Sequence, residues 1–250
     1  ADVATEREEI AIPAELAGAP SLELAQKVIE MAAGNLSMIT IAPELPGALD
    51  LIRLFARLEG PHGPVVVALG HTSATYDEAI AGIDAGIRHV THVYNAMTGL
   101  HHRQPGALGA ALTDHRVSVG LITDGIHVHP AAIDLTIAAK GIEKTCIITD
   151  AVSAKDGHIV DGAPRLPDGT LNGSILSIDR AVANVLDYTN LNIQQAVEMA
   201  TLSPARSIHW HDRKGSLAPG KDADIVLFDE HINISMTMIG GEVVWEAGSN

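Results

Sequence analysis

Cysteine is nearly missing from this chain: its 250 residues hold one, Cys146. A disulfide-stapled fold is therefore excluded, and one thiol supplies no zinc-finger spacing. A lone cysteine suits a reducing cytoplasm, which is the expected location. Aromatic residues are scarce at 3%, against 46% apolar residues in all. Basic residues are few, 16 against 31 acidic ones, for a net charge of −15. That balance argues against nucleic acid or an anionic membrane surface as the main partner. No run approaches the roughly 18 consecutive apolar residues of a membrane helix. The first twenty residues carry acids where a signal peptide needs bases and an apolar run. Polar tracts and internal repeats are also absent, so disorder and solenoid architectures are not expected. Phosphate loops of the Walker type, Gly-x-Gly-x-x-Gly turns and His-Glu-x-x-His helices do not occur. What the chain does have is 13 histidines.

Short β-branched runs alternate with longer stretches of helical periodicity, the pattern of parallel β-α units. Strands are expected over 37–42, 65–69, 89–92, 117–123 and 146–149, buried on both faces. Helices are expected over 22–33, 48–58, 131–139, 180–188 and 193–200, with Pro204 opening another. Thr75-Tyr76-Asp77-Glu78 is a capping box and predicts a helix from there to about Ala85. Beyond Gly215 the texture changes to a turn, a strand ending near Phe228, a segment over 232–239, a Gly240-Gly241 turn and a last strand over 242–245. A boundary near 213 therefore divides a catalytic domain, 1–213, from a small β appendage, 214–250.

In parallel β-α folds ligands bind at the carboxyl ends of the strands. Four of those ends run out in Glu44, His71, His92 and Asp150, and a fifth in Asp124-Gly125-Ile126-His127. Glu44, His71 and His92 form a two-histidine, one-carboxylate set that suits a single catalytic zinc with an open fourth position. Water on such an ion falls from a pKa of 15.7 to roughly 7. At about 1.36 kcal/mol per unit, that is roughly 12 kcal/mol of hydroxide stabilisation. Asp150 would then shuttle a proton from the water to a leaving amine.

Structural roles compete at every one of these positions. A strand-end histidine also serves as a hydrogen-bonded structural residue, Asp150 as a helix cap, and Asp124-Gly125 as a turn. His127 is read as a substrate contact and His129 as loop. His101-His102-Arg103 is either an anion site or a solvated loop. His209-Trp210-His211 is read as surface, and Leu58-Glu59-Gly60-Pro61 as an accidental loop sequence. Gly173-Ser174 lacks the frame of a nucleophile elbow.

Taken as an ordered set, eight segments are highly specific. They are Ile39-Thr40-Ile41-Ala42-Pro43-Glu44, Gly70-His71-Thr72, Thr91 through Met97, His101 through Gly106, Asp124 through His129, Thr149-Asp150-Ala151, Gly169 through Ser174 and Gly220 through Asp224. From about Ile39 to Trp245 the chain resembles N-acetylglucosamine-6-phosphate deacetylases of the amidohydrolase superfamily. The resemblance implies an α/β fold, a TIM-barrel-like (β/α) domain with a small C-terminal β appendage. It also implies metal ligation by Glu44, His71 and His92, and acid/base catalysis by Asp150. Substrate contacts carry over to Asn95, Ala96 and His127, and a loop closing over the sugar to Leu171, Asn172 and Gly173. Arg103 matches an arginine that reaches the phosphate from a neighbouring subunit, which implies a homodimer. A planar guanidinium fork suits a phosphate.

The resemblance also has gaps. The family's His-x-His barrel strand, its strand ending in His-Leu-Glu-Gly-Pro and a loop histidine that polarises the acetyl carbonyl have no counterpart before Ile39, and the stretch 151–169 is short. Five strands do not close a barrel that usually takes roughly 250 residues on its own. The barrel is therefore expected to be incomplete, with one metal ion at most. The expected activity is metal-dependent hydrolysis of N-acetylglucosamine 6-phosphate to glucosamine 6-phosphate and acetate. Its rivals are the same chemistry on the galactosamine epimer, a catalytically impaired sugar-phosphate binder, and an amidohydrolase acting on another amide.

Overall fold

The computed structural model of the protein describes residues 20–152 and 158–248. Its centre is five parallel strands: β1 (Met38–Thr40), β2 (Val66–Leu69), β3 (Ile87–Val90), β4 (Ser118–Ile122) and β5 (Thr145–Ile148). They are hydrogen-bonded in the order of the sequence, β1-β2-β3-β4-β5. A doubly wound sheet reverses its strand order part-way, and this one does not. Unreversed right-handed crossovers put the connecting helices on one face, which is the arrangement in a sector of a β/α barrel.

The helices form where their ends are capped. Ser21 accepts the amide of Leu24 at the start of α1 (Leu22–Ala32). Between β1 and β2 runs α2 (Ala48–Phe55), which buries Ala48, Leu51, Ile52 and Phe55 on one stripe. The capping box forms as expected: Thr75 and Glu78 satisfy each other's backbone amides at the head of α3 (Tyr76–Ala85). Then come α4 (Gly106–Thr113), buried almost throughout, and α5 (Pro130–Lys140), with proline in its first turn. The apolar side chains of β2 and β4 are buried on both faces, as continuous β-branched runs require. β1 is half-exposed along one edge of the sheet.

After β5, a hairpin of His158–Val160 and Ala163–Arg165 leads to α6 (Ile178–Tyr188), α7 (Ile193–Ala200) and α8 (Leu202–Ser207). The tail is a three-stranded antiparallel sheet of β6 (Ile225–Phe228), β7 (Ile234–Ile239) and β8 (Glu242–Glu246). It flanks a largely apolar cavity of about 770 Å³ against α6, α7 and α8.

Several local expectations need correction. The third strand lies two residues earlier than expected, so His92 stands beyond its end. Arg88 interrupts the apolar run there, but its guanidinium leaves the sheet and donates to the carbonyls of Ile83 and Ile87. The Leu58–Pro61 stretch is part of a short hairpin, Glu59–Gly60 with Gly63–Pro64. His129 is not plain loop: its Nδ1 accepts the amide of Ala131 and caps α5. Trp210 is not on the open surface either. It packs edge-on against His62, with ring centroids 4.3 Å apart, and its indole nitrogen is buried.

Candidate active site

Parallel strands in sequential order bring their carboxyl ends to one rim. The backbone there is unusual. His71, His92, Tyr94, Ala96 and Asp150 all have positive φ, between 26° and 79°. Left-handed conformations cost of order 1–3 kcal/mol each in non-glycine residues and gather at functional sites. They occur here directly after β2, β3 and β5.

The turns after β2 and β3 are zipped together. Thr72 donates its amide to the carbonyl of Ala96 at 2.9 Å, and Thr72 bridges Met97. A Cβ on Gly70 would stand 2.2 Å from the Thr91 methyl, so the two strand ends can close up only with glycine there. The result sets the Nε2 atoms of His71 and His92 2.9 Å apart. His92 is buried and its Nδ1 lies 3.2 Å from the carbonyl of Asn95. A carbonyl only accepts, so Nδ1 carries the hydrogen and Nε2 of neutral His92 is left with a lone pair. A backbone carbonyl on the far nitrogen is how metal-ligating histidines are usually oriented. Desolvation and the neighbouring His92 push the His71 ring below its ordinary pKa, while Asp150 pulls it up. The lowered value favours the neutral ring that binds a metal.

Two imidazole nitrogens at this separation either share a proton or share an ion. Around a tetrahedral zinc they would stand about 3.3 Å apart, so the pair fits an ion with a small outward shift. Glu44 is placed differently. Its carboxylate accepts from the Thr72 hydroxyl at 2.5 Å and from the Ser73 amide at 2.6 Å. Among the described residues no group of three His, Cys, Asp or Glu side chains is arranged to hold a metal ion. The structure thus assembles two of the three expected ligands and ties the third to the residues that follow His71.

Asp150 is not a helix cap. Its carbonyl accepts the amide of Ser174 at 2.8 Å, and Val152 donates to Ser174 in return. This short parallel bridge sets Gly173 beside the Asp150 carbonyl, while Leu171 pairs with Arg165 and the Asn172 amide donates to the carbonyl of Pro164. A Cβ on Gly173 (φ +66°) would meet the Asp150 carbonyl at 2.8 Å and Val152 at 2.5 Å. Asn95 stays local, with its side-chain amide donating to the carbonyls of His92 and Val93. Arg103 lies on an exposed turn closed by His101 and Gln104. Its guanidinium meets the His102 ring and no carboxylate among the described residues. His127 is paired with Asp124, a partner that the reading of Asp124-Gly125 as a turn or rim residue did not anticipate. The i, i+3 spacing was the available signal. Thr72 and Ser73, which hold Glu44, were missed too, although Thr72 directly follows His71.

Residues 14–244 match the Amidohydrolase family. The chain belongs to that family. Among curated relatives it is 39% identical over 236 residues to an N-acetylgalactosamine-6-phosphate deacetylase of Escherichia coli O157:H7, covering 89% of this chain and 61% of that protein. It is 36% identical over 258 residues to an N-acetylglucosamine-6-phosphate deacetylase of Vibrio furnissii, covering 98% of this chain and 63% of that one. The chain therefore spans about three-fifths of the length of these relatives. Among solved amidohydrolases, a Mycobacterium smegmatis N-acetyl-D-glucosamine-6-phosphate deacetylase variant in complex with N-acetyl-D-glucosamine-6-phosphate superposes with a TM-score of 0.86. It is 33% identical, and the match covers 92% of this chain and 63% of that one. The Pasteurella multocida N-acetylglucosamine-6-phosphate deacetylase gives a TM-score of 0.83 at 28% identity, covering 96% and 64%. The five-stranded sheet is thus the shared part of a TIM-barrel-like amidohydrolase fold.

Proposed function

We propose that this amidohydrolase chain serves the deacetylation of N-acetylglucosamine 6-phosphate, giving glucosamine 6-phosphate and acetate. The observation that carries the reading is the His71–His92 nitrogen pair, 2.9 Å apart. His71, His92 and Glu44 would hold one divalent ion, which we take to be zinc. Such an ion, when bound, acidifies water and polarises a carbonyl.

The chain's own residues supply the rest. An Asp150 carboxylate oxygen accepts a proton from the attacking water. The water oxygen bonds to the acetamide carbon, the C–N bond breaks, and Asp150 returns the proton to the departing amine nitrogen. The strand pairing of 151 with 174 anchors the end of the 171–173 loop next to Asp150, and Leu171, Asn172 and Gly173 would close over the sugar and shield it from bulk water. Asn95, Ala96 and His127 would line the sugar side. The exposed, carboxylate-free Arg103 would take the phosphate of a second copy's substrate, which makes the working form a homodimer. Catalysis is assigned to 1–213, with 214–250 as the appended β segment, and a lone thiol such as Cys146 fits the cytoplasm.

The 39% identity to a galactosamine-type deacetylase favours a second reading with the epimeric substrate. Competing the two sugar phosphates in one acetate-release assay separates them by their kcat/KM ratio. For the chemistry itself, Asp150→Asn should lower turnover by at least about a thousandfold, since acid and base steps are both lost, while metal content stays at the wild-type level. Turnover within tenfold of wild type would remove Asp150 from the proton path.

A further inference from the structure

Asp124 and His127 form a buried pair on the loop after β4. His127 Nδ1 lies 2.6 Å from Asp124 Oδ2, and the two side chains are 5% and 8% exposed, His127 first. The other oxygen, Oδ1, accepts the amides of Ile126 and His127, both at 2.9 Å. These three hydrogen bonds outweigh the burial of the carboxyl and keep Asp124 below its ordinary pKa. The two carboxylate oxygens thus divide the work, with Oδ1 shaping the turn and Oδ2 holding the ring.

A carboxylate can only accept, so the hydrogen of this bond belongs to Nδ1 of His127. Nε2 then carries the lone pair in the neutral ring. It has no partner among the described residues. The sheet order puts this loop between the turn after β3, with His92, and the turn after β5, with Asp150.

We propose that Asp124 is the positioning residue of His127, fixing the tautomer that presents Nε2 as an acceptor for a substrate hydroxyl. The contact with substrate rests on the deacetylase reading; the tautomer does not. A ring locked in this way accepts a hydrogen bond from a sugar hydroxyl and gives none to a phosphate oxygen. It therefore reads the sugar rather than the anionic group.

Asp124→Asn is the discriminating variant. Its amide oxygen can keep both turn amides, while its NH₂ replaces Oδ2 and donates to Nδ1, which moves the ring hydrogen to Nε2. Nitrogen-15 imidazole spectra of the full-length enzyme should show the His127 hydrogen on Nδ1 in wild type and on Nε2 in Asp124→Asn. KM for the sugar phosphate should rise about tenfold, in proportion more than kcat falls, as for lost support of an orienting contact. His127→Gln should give a similar rise, and the double variant should be no worse than the poorer single variant. An unchanged tautomer in Asp124→Asn, or effects of the two substitutions that simply multiply, would overturn the proposal. If the wild-type enzyme cleaves neither sugar phosphate, the deacetylase reading fails, and the spectra alone decide the positioning role.

Discussion

His89 lies on β3 with its side chain turned into the protein, 6% exposed, and its Nδ1 within 3.0 Å of the hydroxyls of Ser118 and Ser207. Burial pushes its pKa down to about 4 from an ordinary 6.5. Between those values the unfolded chain binds a proton that the folded one refuses. Stability therefore falls as pH drops from 6.5 to about 4, by up to about 3 kcal/mol from this group, and no further below that. His89→Gln, which keeps a hydrogen-bonding side chain, should flatten this limb when urea midpoints are compared across the window. An unaltered limb would mean that other groups set the acid sensitivity. His89, His71, His92 and His127 illustrate what single residues disclose. All four were readable as strand or strand-end histidines. The spacing of one sequence did not tell a ring buried against serines from one facing another ring, because that depends on which strand lies alongside. Trp210 and His129 were read as surface and as loop for the same reason: their partners, His62 and the Ala131 amide, become neighbours only after folding or in a non-strand geometry.

Among elements, α3 offers a contest between two known effects. Gly82 is inside the helix, and alanine there should gain about 1 kcal/mol of helix propensity. The new Cβ, however, would meet Pro43 Cβ at 2.7 Å and Ile87 Cδ1 at 2.8 Å. Overpacking of this kind typically costs about 1–3 kcal/mol, so Gly82→Ala should lower the thermal midpoint rather than raise it. Pro43 directly precedes Glu44, so bound metal measured by elemental analysis should fall as well. The helices and main strands were legible because each has a strong local signature: a cap, an apolar stripe, or a β-branched run. The Glu59–Pro64 and His158–Arg165 hairpins were not, since strands of two or three residues carry too little periodicity to stand out. The assembly of the rim was legible only in outline. Strand ends named Glu44, His71, His92 and Asp150, but the hydrogen bonds that draw Glu44 toward Thr72 and Ser73 come from turn geometry.

Across the whole molecule the dominant quantity is the charge of −15. The sugar phosphate of the proposed reaction is itself anionic, so the overall field would oppose its approach, and Arg103 in its proposed role would help only at the end of the path. Added salt screens that field. kcat/KM should therefore rise between about 0.01 and 0.15 M ionic strength, and a steep fall in a stopped-flow or initial-rate series would point to attraction instead.

The strictly sequential strand order has a consequence for how the protein is made. Each new strand finds its neighbour in the one that left the ribosome just before it, so the sheet can grow by accretion without waiting for distant partners. Such nearest-in-sequence pairing keeps the entropic cost of loop closure low and shortens the time that an uncovered edge is exposed to other chains.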